Sequence, residues 1–317
     1  HADNGDYTTV LMQGSGTFGV ESVLSSVISS TDKVLVLQNG AYSKRMVEMC
    51  DYHGIKYVVY EEDYAHVPDP AIVEDVLKSD GNITHISMVH SETTSGLLNN
   101  IAAIGELAKK YNKKFIVDAM SSFGGVDINV PELGITYLVS SANKCIQGVP
   151  GFSFIIAKVS DLKQTKGIAR SLSLDLYAQW ETMEKDGGKW RFTSPTHVVA
   201  AFSQALKELA AEGGITARNA RYTATNRALR KGMEELGFKA YIDEAHQGPI
   251  ITTFFYPENC KFTFAEMYAY LKEHGYVIYP GKLTDAETFR LGNIGEIYMD
   301  DVEKILGIFK DFVSAEN

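Results

Sequence analysis

The chain has 317 residues, 30 basic against 40 acidic, giving a formal net charge of -10 at pH 7, with 45% hydrophobic and 22% charged residues. That is a soluble globular balance with room for a large buried core and two domains. It argues against general nucleic-acid binding, which needs a clustered basic face, and no run nears the roughly 18 apolar residues of a membrane span.

In chain order, the apolar run "YTTVLM" (7–12) predicts a first core strand, followed by a helix near 18–29. "KVLVLQ" (33–38) precedes a helix near 42–53, and "KYVVYE" (56–61) a helix near 70–78. "ITHISMVH" (83–90) precedes a helix near 100–111, and "KFIVDAM" (114–120) follows. "ITYLVSSANK" (135–144) and "GFSFIIAK" (151–158) read as two more strands. Such alternation predicts an α/β fold, a largely parallel sheet with helices on both faces, whose ligands bind beyond the carboxyl ends of the strands. A long helical pattern over 196–236 is broken by Gly213-Gly214. The strands "FKAYI", "IITTFFY" and "GYVIY" and helices near 263–273 and 299–312 then form a smaller α/β unit. The expected division is a large domain, 1–212, and a small C-terminal domain, 213–317.

The N-terminal residues "HADNGDYTT" are polar and acidic and carry no signal-peptide pattern. Almost nothing precedes the first strand, so the sequence reads as starting part-way into a fold. Cys50, Cys145 and Cys260 are far apart, odd in number and without C-x-x-C spacing. A disulfide framework and a metal site are therefore not expected, and a reduced cytoplasmic setting is.

Behind the first strand, "GSGTFG" (14–19) spells G-x-G-x-x-G. A dinucleotide fingerprint also needs an acidic residue closing the second strand. That strand closes with Gln38 and Asn39, and the helix after the third glycine, "VESVLSSV", is read as offering little small-residue packing. The dinucleotide reading fails. What survives is a helix N-terminus whose amides, with the hydroxyls of Ser15 and Thr17, can approach an anion. Gly19 is read as incidental turn chemistry.

Two further residues follow strands. Asp118 closes a very apolar one, where a carboxylate is costly without a partner. Lys144 follows another, inside "SSANKCIQGVPG". Singly, Asp118 is read equally well as a turn or cap residue and Lys144 as a solvated lysine. Together with a phosphate-type loop upstream they match the needs of pyridoxal 5'-phosphate: an amine, a carboxylate for the ring nitrogen and a phosphate cradle.

The segments "LMQGSGTFGVE", "NGAYSKRM", "HSETTSG", "FIVDAMSSFGG", "SSANKCIQGVPGFSF", "ARSLSLDLYAQW", "RFTSPTHVV" and "FRLGNIGEI" run over nearly the whole chain. In these the sequence resembles the class V aminotransferases of the fold-type I pyridoxal-phosphate enzymes. The narrower likeness, carried by "QGSGTF", "SSANKCIQGVPG" and "ARSLSLDLY", is to members that move the amino group of 2-aminoethylphosphonate to pyruvate, with alanine– or serine–glyoxylate exchange and a non-catalytic relative as alternatives. The resemblance implies Lys144 as the Schiff-base lysine and general base and Asp118 as partner of the ring nitrogen. It implies Ser15, Gly16 and Thr17 as the phosphate cup, with Asn143 as a weaker phosphate contact. Tyr42 falls where an aromatic stacks on the ring. Thr93 falls at the phenolic oxygen, with Thr94 the alternative one residue on. Thr193 would reach the phosphate across a homodimer interface. Arg290 would anchor the substrate's anionic group, and Arg170 is a second anchor or a surface residue. Cys145 is read as packing. The family begins with a T-P-G-P-like loop that lines the site; this sequence lacks it, so a preceding segment is expected to be missing.

Overall fold

The computed structural model describes residues 5–258, 261–281, 283 and 287–316; Cys260 lies outside them. In order come β1 (Tyr7–Gln13), α1 (Gly16–Val27), β2 (Lys33–Gln38), α2 (Ala41–Tyr52), β3 (Lys56–Glu61), α3 (Pro70–Ser79) and β4 (His85–Val89). The two-residue strands β5 (Ser91–Glu92) and β6 (Leu97–Leu98), α4 (Ile101–Lys110), β7 (Lys114–Asp118), β8 (Tyr137–Ser141) and β9 (Phe152–Lys158) follow. Next are α5 (Val159–Leu162), α6 (Leu176–Lys185), α7 (Thr196–Glu212) and α8 (Gly214–Glu235). The chain finishes with β10 (Ile251–Phe255), α9 (Phe264–Glu273), β11 (Tyr279–Pro280), β12 (Thr288–Gly292) and α10 (Met299–Glu316).

The main sheet has strand order β1-β9-β8-β7-β4-β2-β3. The run β8-β7-β4-β2-β3 is parallel, each step crossing over through intervening chain. β9 is antiparallel to both β8 and β1. Only the loop 142–151 joins β8 to β9; a parallel return needs a longer crossover, so the strand doubles back. Val34, Val36, Ile116 and Val139 face one core with α1, α2 and α6. Leu35, Leu37, Phe115, Val117 and Leu138 face the other with α3 and α4. Period-two alternation of apolar with apolar residues marks strands buried on both faces.

Gly19 has a packing function that its spelling in the motif does not reveal. A Cβ there would sit 2.6 Å from Ser153 Oγ and 3.0 Å from Val139 Cγ1. Ser22, Ser25 and Ser26 of the same helix are buried, and Ser22 and Ser26 both donate to the Leu174 carbonyl. The small residues thus sit along α1 itself, where it lies on β8 and β9. The segment 159–195, without an element in the sequence reading, holds α6, capped by the Asp175 side chain accepting from the Ala178 amide. "FKAYI" contributes only an isolated bridge, Ala240 to Phe254, and "GYVIY" only the start of β11.

The C-terminal sheet, order β10-β12-β11, is antiparallel and lies on a separate, aromatic-rich core that includes Phe238, Phe254, Phe289, Phe309 and Phe312. α8 serves both regions. Its Leu229 and Met233 enter that core, while Tyr222 packs on Cys145 and Ile250. Arg218, only 1% exposed, pairs with Glu212 at 2.7 Å and donates to the Cys145 carbonyl at 2.8 Å. Arg221 pairs with the other oxygen of Glu212 and donates to the carbonyls of Gly295 and Ile297. Removing Glu212 would leave the Arg218 charge buried without its partner. Glu212→Ala is expected to lower stability by about 3–5 kcal/mol, read from chemical denaturation midpoints; a loss near that of an exposed pair would show that Arg218 is hydrated.

Candidate active site

The carboxyl ends of β1, β4, β7 and β8 open on one pocket, lined by Ser15, Gly16, Thr17, Tyr42, Arg45, Ser91, Asp118, Met120, Asn143 and Lys144 among others. The parallel sheet predicted on sequence grounds puts these strand ends on one edge, the place where such sheets bind ligands.

Two helices start at this edge, and their N-termini differ. α2 begins at Gly40 with Glu92 buried against it. The Glu92 carboxylate accepts from the amides of Tyr42 and Ser43 at 3.4 and 3.2 Å and from the Thr94 hydroxyl at 2.7 Å. Thr94 in turn accepts from the Ala41 amide. This end is closed by a carboxylate, which also suits the helix dipole. α1 has no side-chain cap and no acidic residue in its first turn. Ser15, Gly16 and Thr17, at its start, line the pocket. Unsatisfied N–H groups at a helix start form a ready anion site. Gly16 keeps it open: a Cβ there would fall 2.4 Å from Met120 Sδ.

Asp118 is 5% exposed and closes β7, in register with Val89 and Val139. Its Oδ1 accepts from the Met120 amide at 2.9 Å, and no ion pair reaches it among the described residues. Burial pushes its carboxyl up to about 7, and the neighbouring charge of Glu92 adds to the rise. The hydroxyl of Ser91, buried in the pocket wall, has no hydrogen-bond partner among the described residues. A buried carboxyl on which Arg45 and Lys144 act only from beyond ion-pair distance, a hydroxyl with no partner among the described residues and an open helix start are what the ring nitrogen, polar substituents and phosphate of pyridoxal phosphate require.

Lys144 stands in a turn just past β8. Gln147 adopts φ +64, its amide donating to the Lys144 carbonyl at 2.8 Å and its side chain to the Tyr222 hydroxyl at 2.7 Å. A non-glycine residue in this region is strained and persists only where its surroundings hold it. Cys145 is buried, its thiol pushed up to about 12 by that burial; it is a packing residue, as the sequence suggests.

The other expected residues fall in different places. Asn143 lines the pocket, its Oδ1 accepting from Ser141. Thr93 and Thr94 are buried behind the pocket: Thr94 is spent on Glu92, and the Thr93 carbonyl accepts from Arg290 at 3.0 Å. Arg290 is buried on β12, donates also to the Pro280 carbonyl, and is drawn below the usual arginine range by that burial. Its Nη2 has no hydrogen bond among the described residues. Thr193 is exposed in the α6–α7 loop. Arg170 donates to the carbonyl of Ile28, closing the far end of α1, about 18 Å along the helix from the pocket by the rise per residue. Arg45, Ser91 and Glu92 are site residues that the sequence reading does not pick out. Arg45 follows Tyr42 by three residues on a helix, and Ser91 follows the strand residue Val89 by two. Both spacings put a residue on its neighbour's face and are the available signals.

The chain belongs to the class V aminotransferase family, whose model matches residues 3–286. It is a pyridoxal-phosphate-dependent aminotransferase. It is 53% identical over 315 residues to the 2-aminoethylphosphonate–pyruvate transaminase of Lysinibacillus sphaericus, covering 99% of this chain and 86% of that one. It is 56% identical over 308 residues to a bifunctional phosphonoacetaldehyde hydrolase/aminoethylphosphonate transaminase of Clostridioides difficile, of which the match spans 48%, and 97% of this chain. Among solved structures, pyridoxamine–pyruvate aminotransferase from Mesorhizobium loti superposes with TM-score 0.89 at 25% identity, over 97% of this chain and 79% of that one.

In the cofactor-free protein the folded state keeps the Asp118 proton up to about pH 7, whereas the unfolded chain releases it near 4. Stability is therefore lost as pH rises through that window. Asp118→Asn removes the loss, so its advantage over wild type is expected to widen by up to about 4 kcal/mol from acid to mildly alkaline pH; parallel denaturation curves would refute a desolvated carboxyl. Gly40 has an ordinary extended φ of 177, but a Cβ there would lie 2.1 Å from the Glu92 carboxyl carbon. Gly40→Ala is expected to cost about 1–3 kcal/mol, and an unchanged melting temperature would mean that α2 slides freely.

Proposed function

We propose that the aminotransferase takes 2-aminoethylphosphonate as donor and pyruvate as acceptor, yielding phosphonoacetaldehyde and L-alanine. The observation that carries this reading is Arg290, a buried arginine within electrostatic reach of the pocket residue Tyr42, whose Nη2 has no hydrogen bond among the described residues. A guanidinium fork binds a carboxylate or a phosphonate equally well, as an enzyme handling both in turn requires. The names of the relatives supply the particular donor.

Pyridoxal phosphate, when bound, supplies an electron sink that stabilises negative charge on the substrate carbon. Ser15, Gly16 and Thr17 would hold its phosphate, Tyr42 would flank the ring, and Thr93 or the Ser91 hydroxyl would serve a ring substituent, with Asn143 lining the same pocket. Asp118 keeps the ring nitrogen protonated. Lys144 holds the cofactor, and its Nζ, once free, carries the proton between the two carbons of the exchange. Burial around Asp118 and Arg290 keeps water from competing for either charge.

On the same reading, residues 213–317 form a substrate-anchoring domain that presents Arg290 to a cofactor-binding domain, 1–212, in a cytoplasmic homodimer. Phe18 and Val149, next in sequence to pocket residues, and Phe192, beside Thr193, are large apolar side chains left about half exposed. That supports a second copy covering the pocket mouth, with Thr193 reaching the partner's phosphate.

Incubation with 2-aminoethylphosphonate and pyruvate is expected to yield alanine and phosphonoacetaldehyde, and Lys144→Ala to abolish both. Alanine from pyruvate plus another amine, or serine–glyoxylate exchange in its place, would sink the donor assignment; turnover surviving Lys144→Ala would sink the role of the lysine.

A further inference from the structure

Arg45 stands on α2 one turn beyond Tyr42 and lines the pocket. Its Nη1 donates to Thr17 Oγ1 at 3.3 Å, at the open start of α1. Its guanidinium lies 5.1 Å from the centre of the Tyr42 ring. It makes no ion pair among the described residues, and it is half-buried.

Two requirements meet at this side chain. A phosphate monoester brings about -1.5 to -2 charges at neutral pH, while a helix N-terminus offers only about half a positive charge. Ser15, Gly16 and Thr17 give donors but no net charge. Among the described pocket-lining residues the cations are Arg45 and Lys144, and Lys144 is committed to holding the cofactor. We propose that Arg45 is the cationic clamp of the phosphate cup, binding the cofactor's phosphate together with the open turn of α1. The Tyr42 ring steadies the same guanidinium through the cation–π contact. The clamp rests on the proposed seating of the cofactor, phosphate first, on Ser15, Gly16 and Thr17.

The test compares pyridoxal phosphate with pyridoxal, which lacks the phosphate, binding to cofactor-stripped wild type, Arg45→Met and Arg45→Lys, by isothermal titration calorimetry. A hydrogen bond to a charged group contributes about 1.5–3 kcal/mol, or roughly 10- to 100-fold in affinity. Arg45→Met is expected to weaken pyridoxal phosphate by that factor and to leave pyridoxal within about twofold. Arg45→Lys, with a charge but no fork, is expected to fall between. Far-ultraviolet circular dichroism of each stripped variant checks that it folds. If Arg45→Met binds pyridoxal phosphate as wild type does, or loses both ligands equally, the clamp is overturned while the cofactor seating stands. A wild-type protein that takes neither ligand overturns both.

Discussion

The first turn of α1 is a helix end left uncapped beside a helix end that is capped. Backbone amides without acceptors are costly in a fold, and α2, packed beside α1, has its own covered by Glu92 and Thr94. Gly40 lets the Glu92 carboxyl come that close, and Gly16 leaves the first turn of α1 clear of Met120. The sheet sets both helices at the same edge, so a single residue, Glu92, decides which of the two starts remains for an anion.

Around that opening the fold keeps charges out of water. Asp118 is buried and unpaired among the described residues, and Arg290 is buried against carbonyl oxygens. Neither arrangement stabilises the empty protein. The cost is offset elsewhere, by the doubly buried strands and their valine, leucine and isoleucine packing on both sheet faces, and a ligand carrying the matching charges would remove it. Strain follows the same pattern: the left-handed Gln147 sits three residues past Lys144 and is held from outside by Tyr222.

The α/β class, nearly every strand of the main sheet, and the cluster of Ser15, Gly16, Thr17, Tyr42, Asp118, Asn143 and Lys144 are legible in the sequence because each depends on local pattern: apolar runs ending in polar residues at a common edge. The reversal of β9 is not, since a run of apolar residues carries no direction. Gly19 reads as incidental because the neighbours that require it, Ser153 and Val139, lie more than a hundred residues away in the chain. The β5–β6 turn places the Thr94 hydroxyl on Glu92 and leaves Ser91 lining the pocket, contacts that depend on the turn and not on local pattern. The three-residue spacing within "NGAYSKRM" puts Arg45 on the face of Tyr42, but its reach to Thr17 depends on the approach of α2 to α1.

Glu212 joins two distant parts of this site mechanically. One of its oxygens holds Arg218, which grips the lysine loop through the Cys145 carbonyl; the other holds Arg221, which grips the carbonyls just past the strand of Arg290. The Tyr222 hydroxyl spans the same gap, accepting from Gln147 and from the Gly295 amide. The Lys144 loop and the segment that follows the Arg290 strand are therefore fastened to one strut, a single turn of α8. A displacement of the C-terminal unit would thus load the loop that bears Lys144.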